Sequence, residues 1–373
     1  MWRKDLNSIP TRRRTGGWVG AALAVACVSL AGASGATSAS AAPVAPNPSG
    51  RFNEPGNVLI ADQFNNRVIE VRGHDVVWQF GNGSSVAGPH SVVGPNDAER
   101  IGDLTLITGT GIPAGASSTC DNPMGCADNR VLLVNEHGDI VWQYGSAGVT
   151  GSGFDQLNAP VQSTALPGGD VLITDQGNAR VIEVNRFHEI MWQYGVTGVP
   201  GDEADQLNNP NSAELLPNGH VLIADESNNR VIEVTRSHQI VWQYGSPPET
   251  SVLNGPAFAS RLPNGHTLIS DSNNNRVVEV TTQKVVVWSY VTNMRPGSIA
   301  DPVPTRAVRL ADGDTLISDQ FNDQVIAVNP HGEIIYAQGQ IQVAGNGFDQ
   351  LNAPYDAKVI GDFTGLTVPL WFR

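Results

Sequence analysis

The chain has 373 residues, 40 of them Gly and 24 Pro, with charged side chains at 16% and a formal net charge of −14. That composition suits a hairpin-rich β protein without long amphipathic helices, and the negative charge works against nucleic acid or an anionic membrane as a partner. At this length a single domain is admissible for a large all-β array, so the repeat pattern decides the domain count.

Residues 1–41 read as an export signal. Arg3, Lys4 and Arg12 to Arg14 supply a basic start, Gly16 to Leu30 an apolar run, and Ala39-Ser40-Ala41 small residues for cleavage. The run is short and broken by Gly and Ser for a membrane span, so no membrane insertion is expected after cleavage, an uncleaved anchor being the alternative. Removing five basic residues and Asp5 deepens the net charge from −14 to −18. Residues 42–50, APVAPNPSG, form a Pro-rich linker, and 51–373 form the folded domain. A secreted or extracytoplasmic location follows, and in that setting Cys120 and Cys126 are expected to form a small disulfide loop. A metal site would want four ligands, and the intervening DNPMG offers little beyond Asp121.

From Asn57 onward a pattern of short Val/Ile-rich strands joined by Gly, Asn and Pro turns recurs in six copies, from NVLIADQFNNRVIEV with VVWQFG to DTLISDQFNDQVIAV with EIIYAQG. The arginine of the pattern falls at Arg67, Arg130, Arg180, Arg230 and Arg276, with Gln324 in the sixth copy, a spacing mostly of 46 to 50 residues. Such a period with four strands per unit predicts an all-β, six-bladed β-propeller of four antiparallel strands per blade, rather than seven blades. Phe348 to Asp362 repeats Phe154 to Gly168 and reads as an innermost strand, whereas the first copy has only PSGRF before its second strand. The C-terminal strand is therefore expected to complete the N-terminal blade and close the ring.

The D-x-x-N-x-R-V pattern after an apolar strand, as in Asp225 to Val231, preceded by a linker such as GVTGVPGDEADQLNNP, resembles the NHL-repeat family of six-bladed propellers. LPNGHTLISD and IVWQYG are also similar to bacterial propellers grouped with arylsulfotransferases and quinone-binding proteins. The resemblance covers about residues 50–373. It implies the fold and leaves function open, because such propellers include enzymes, sensors and ligand-binding modules.

Repeated polar residues are expected to build the fold, since one small ligand cannot touch equivalent sites spread around a ring. Asp62, Asp175, Asp225, Asp271 and Asp319 close the second strand, and Arg67, Arg180, Arg230 and Arg276 stand five residues on, placed to pair across the hairpin. Trp78, Trp142, Trp192, Trp242 and Trp288, with Tyr336, are expected to fill the wedges between blades. His74, His137, His188, His238 and His331 read as turn residues.

Ligand chemistry is expected where the copies differ, at the innermost strands that line the channel. Taking Pro89, Pro160, Pro210, Pro256, Pro304 and Pro354 as their starts, the following pairs are His90-Ser91, Val161-Gln162, Asn211-Ser212, Ala257-Phe258, Thr305-Arg306 and Tyr355-Asp356, with Arg306 placed to pair with Asp356. Two further breaks are the insert Gly109 to Ala127, which puts Gly109 where the motif aspartate should be, and Met294-Arg295 in the fifth linker. The leading expectation is an exported non-enzymatic binding or scaffolding propeller that recognises a small molecule, glycan or peptide at its channel-entry face, its partner being a small molecule, a glycan or a protein. The alternative is an enzyme, a lyase or arylsulfotransferase-like, with His90 and Arg306 as its residues. No cofactor or protein-held metal is expected beyond calcium on the axis, which the acidity would suit, and the chain is expected to be a monomer.

Overall fold

In the computed structural model the described residues are 51–245 and 253–369; the expected export signal (1–41) and Pro-rich linker (42–50) lie outside them. Six four-stranded antiparallel sheets form a six-bladed propeller. Blade one joins Val58–Asp62, Arg67–Arg72 and Asp75–Phe80 to Pro354–Val359 as its innermost strand, so the two ends of the ring are hydrogen-bonded together. The innermost strands of blades two to six are Pro95–Ile101, Pro160–Ala165, Pro210–Leu215, Pro256–Arg261 and Pro304–Arg309. Each blade is covered on both faces by its neighbours, which is why the middle strands are continuous apolar runs, VLITD or RVIEV, rather than alternating ones. The core is correspondingly divided into clusters between adjacent blades, one of them joining Leu106, Tyr144, Ile173 and Ile182 of blades two and three.

The tryptophans lock this packing. Each indole Nε1 donates to a turn carbonyl of the next blade: Trp78 to Glu136, Trp142 to Arg186, Trp192 to Arg236, Trp242 to Thr282 and Trp288 to Pro330, at 3.0 to 3.4 Å. Of the hairpin histidines, His74, His188 and His238 stand 3.0 to 3.1 Å from Asp349, Asp155 and Asp205 in the linkers that join blades.

The hairpin aspartates act as three-way ties. Asp175 receives Arg180 Nε at 2.7 Å, Asn178 Nδ2 at 2.8 Å and the backbone N–H of Asn158, in the approach to the innermost strand, at 2.9 Å. Asp62, Asp225 and Asp271 are held alike, with arginine at 2.6 to 2.7 Å. Between aspartate and arginine lies one turn of 3-10 helix ending in a left-handed residue, Asn66, Asn229 or Asn275 in three of the blades.

Two blades make the tie differently. In blade two the carboxylate comes from Asp128, two residues before Arg130, at 2.6 Å, and it accepts Val93 N–H at 2.7 Å. Gly109 is needed for this, because a Cβ there would lie 2.5 Å from Asp128 Cγ. The longer strands Leu104–Ile112 and Cys126–Val134 then carry the insert, closed by the Cys120–Cys126 disulfide. In blade six Gln324 leaves Asp319 without its arginine, and Arg295 from the preceding linker takes the place at 2.6 Å. Both sequence breaks thus restore a common contact from elsewhere.

Candidate functional site

Every innermost strand begins with a proline, preceded by a residue with left-handed φ: Gly94, Ala159, Asn209, Gly255, Val303 and Ala353. In blade two that proline is Pro95, which pairs with Gly109 as Pro160 pairs with Asp175, so the expected start at Pro89 is wrong by six residues. The residues that reach the channel are Asn96-Asp97. His90 is exposed on the outer approach loop, and Ser91 is buried there, its carbonyl accepting from Arg130 at 2.9 Å. The expectation that His90 and Ser91 join the ring is overturned. Gly88-Pro89 and Gly94-Pro95 are the same step in sequence, and only the backbone, left-handed at Gly94 and not at Gly88, tells them apart.

The other predicted pairs do meet at the axis. Arg306, 2% exposed, reaches from blade six to Asp97 of blade two, Nη2 to Oδ1 at 2.8 Å, and lies 4.1 Å from the ring centroid of Phe258 in blade five. Its Nε stands 2.8 Å from Asp356 Oδ1 without an N–H aimed at it, so charge, not a directed bond, joins the predicted pair. Lys358, unexpected from the sequence, donates to Asp97 at 2.7 Å, Asp356 at 2.5 Å and the Ala98 carbonyl at 2.9 Å. Burial pushes Asp97 up to about 6 against the pull of Lys358. Burial also works against Asp356, but Arg306 and Lys358 outweigh it and hold this carboxyl below its usual range. On the other side Gln162 donates to Glu214 at 2.9 Å and accepts the Ala213 N–H at 2.8 Å, while Ser212 Oγ accepts the Ala259 N–H. Among the described residues no group of three or more His, Cys, Asp or Glu is placed to hold a metal.

Both ends of the channel are crossed. After Val359 the chain runs over the far end to blade four, where Thr367 donates its hydroxyl and backbone N–H to Glu214 at 2.6 and 2.9 Å. At the mouth Tyr355 of blade one spans the opening to Asn211 of blade four, with 2.9 Å between Asn211 Nδ2 and the phenol oxygen, and Thr305 Oγ1 donates to the Tyr355 carbonyl at 2.6 Å. Asn211 also donates to Glu226 Oε2 at 2.7 Å, and Gln176 Nε2 lies 3.4 Å from the same oxygen. Around the rest of the mouth Gln320 donates to Gln63 and Gln63 to Asn96.

Glu226 was missed in the sequence. It follows the motif aspartate, a position held elsewhere by Gln63, Gln176, Ser272 and Gln320, and among these it alone carries charge. Unlike the axial carboxylates it is half-buried, and its Oε1 takes no hydrogen bond from a described residue. Burial pushes it up to about 7 although the Asn211 bond favours the carboxylate. Burial likewise raises the Tyr355 phenol, helped by the charge of Glu226. The mouth therefore presents a carboxyl that exchanges its proton near neutrality beside a phenol that keeps its own.

No protein-family model matches the chain, and no curated protein matches it. Among solved structures it is similar to a Bacteroides caccae protein of unknown function, at TM-score 0.54 and 15% identity over 76% of this chain and 93% of that one. It is also similar to the virginiamycin B lyase of Staphylococcus aureus, at TM-score 0.44 and 15% identity over 68% and 75%, and to the nidogen/laminin complex, at 0.47 and 11% over 75% and 92%. At these identities the first likeness bears on the fold alone.

Proposed function

We propose that the chain is an extracytoplasmic binding propeller built from NHL-like repeats, and that its ligand is a small molecule, glycan or peptide end docking at the channel mouth on Glu226, Asn211 and Tyr355. One observation carries this reading: Glu226 is a charged group placed where the other blades have neutral ones, reached by solvent and with one carboxyl oxygen unmet. Below it the axial side chains are buried, with Arg306 and Lys358 set against the carboxylates of Asp97 and Asp356, so the polar groups that solvent reaches are those at the mouth. A carboxyl acceptor beside a phenol suits hydroxyl or amine donors on the ligand. The Cys120–Cys126 disulfide supports the extracytoplasmic placement.

The enzymatic alternative has its own support at the same place. A carboxyl with a pKa near 7 beside a phenol is a pair fit for general acid–base work in a lyase-type elimination, with Glu226 in the role first given to His90. A thermal-shift screen with sugars, amines, short peptides and aryl sulfates on the unaltered chain, Glu226→Gln and Tyr355→Phe tests both. Binding is expected to raise Tm in the unaltered chain and to lose at least about tenfold in affinity in Glu226→Gln. Undiminished binding in both variants would sink the reading, and turnover that follows an ionisation near pH 7 would favour the enzyme.

A further inference from the structure

The groups that face Glu226 are neutral. Asn211 on the innermost strand of blade four donates to Oε2 at 2.7 Å, Gln176 from the turn of blade three stands 3.4 Å from the same oxygen, and burial keeps the proton on the Tyr355 phenol of the closing strand. Among the described residues Glu226 has no ion-pair partner, whereas arginine answers every hairpin aspartate and Arg306 and Lys358 answer Asp97 and Asp356. Those same pairings commit the cations at the mouth end. Arg67, Arg130, Arg180, Arg230, Arg276 and Arg295 are tied to the hairpins, and Arg306 below Tyr355 is held between two carboxylates.

The missing partner therefore has to come from outside. Oε1 takes no hydrogen bond from a described residue and is open to solvent, and the carbonyl oxygen of the neighbouring Gln176 amide is likewise unmet. An anionic ligand would meet the carboxylate with no cation to compensate it. A hydroxyl could donate to Oε1 but would leave the charge unanswered, and charge-assisted bonds are roughly twice as strong as neutral ones. A metal ion wants several oxygen ligands or a cluster of carboxylates, and no such group stands among the described residues. An ammonium needs one reachable carboxylate oxygen and brings further N–H donors for amide carbonyls.

We infer that the ligand docking at Glu226 carries a primary ammonium, as an alkylamine or an amino sugar does, with its N–H groups given to Glu226 Oε1 and the Gln176 carbonyl. The assignment rests on the mouth being the binding site and names the chemistry of what binds there. It also couples binding to protons. Glu226 holds its proton up to about pH 7 when free, and a bound cation favours the carboxylate, so binding releases that proton and weakens as pH falls through 7.

Isothermal titration calorimetry on the full chain tests it with two matched sets: cyclohexylamine against cyclohexanol and cyclohexanecarboxylate, and 6-amino-6-deoxyglucose against glucose. At pH 8 at least one amine is expected to bind at least about tenfold more tightly than its uncharged or anionic counterparts, and the set that contains it tells an alkylamine from an amino sugar. That amine is expected to bind about tenfold more weakly at pH 6, with proton release seen as a dependence of the heat on the buffer. In Glu226→Gln both the preference for the amine and the change with pH are expected to vanish, which assigns them to Glu226 and not to a histidine. The inference is overturned if neither amine binds, if the alcohol, the sugar or the carboxylate binds as tightly as its amine, or if affinity is the same at pH 6 and 8. Neutral counterparts that bind as tightly and are lost in Glu226→Gln would remove the ammonium and leave the mouth as the site. Amine binding undiminished in Glu226→Gln would remove the mouth as well. Should that variant fail to fold, the probe and pH series on the unaltered chain decides the matter alone.

Discussion

The hairpin aspartates and the axial aspartates are the same residue type and equally buried, yet they are satisfied on different scales. Asp175 finds Arg180 five residues away in its own blade, and the arrangement recurs around the ring. Asp97 finds Arg306 and Lys358 more than two hundred residues away, in blades six and one, and this pairing is not copied from blade to blade among the described residues. A contact closed within one repeat can be copied with the repeat. A contact closed between blades exists only after the ring has formed, so its residues are free to differ from copy to copy, and they do.

If that contrast is right, cutting an axial contact costs more than cutting a hairpin one. Arg306→Met is expected to lower stability by about 3–5 kcal/mol in urea unfolding, because two buried carboxylates are then left with Lys358 as their one cation, beside single backbone N–H groups of Ala98 and Ser163. Arg180→Met is expected to cost about 1–3 kcal/mol, since Asp175 keeps Asn178 and the Asn158 N–H and its carboxyl is already raised by burial. The reverse order would break the comparison.

Blade two sharpens it. Restoring the usual aspartate with Gly109→Asp should destabilise by about 2–3 kcal/mol, because the new side chain meets Asp128. Adding Asp128→Gly should recover most of the loss by moving the carboxylate back to its usual strand. A double variant no better than the single one would show that blade two is not an exchanged version of the same tie.

The smallest effect concerns the mouth and its sign is fixed by linkage. The folded state holds the Glu226 proton more tightly than the ordinary value of 4.5, with a pKa of about 7, so this group contributes stability below about pH 4.5 and loses it as pH rises to 7. In Glu226→Gln that loss should vanish, making the variant relatively more stable above pH 7 by about 1–2 kcal/mol after allowance for solvent access. Parallel stability–pH curves for the two chains would remove Glu226 as a perturbed carboxyl.

Much of this architecture was legible because it is periodic. The blades, the closing strand that begins at Pro354, the Asp–Arg ties and the tryptophan wedges all recur, and recurrence in sequence is itself evidence of recurrence in space. The site was legible only in part. Asn211, Gln162, Phe258, Arg306 and Asp356 were found because they lie one or two residues after a proline, and His90 was misplaced because blade two has an earlier Gly-Pro step, Gly88-Pro89, before the one that opens its innermost strand. Glu226 sits on a different element, the turn after the second strand, and shared no register with the residues it joins.

By itself the sequence determined the strands, their number per blade and the identity of the hairpin ties, since each is specified by residues that lie within one repeat of one another. It could also name the exceptions, Gly109 and Arg295, without saying what they compensate. Only the tertiary structure decided that Asp128 and Arg295 fill the missing places, that Arg306 and Lys358 neutralise the axis, and that Tyr355 crosses to Asn211 beside Glu226. Those contacts depend on which blades face each other across a closed ring. That geometry is set by packing between repeats, which the spacing of residues along one repeat does not encode.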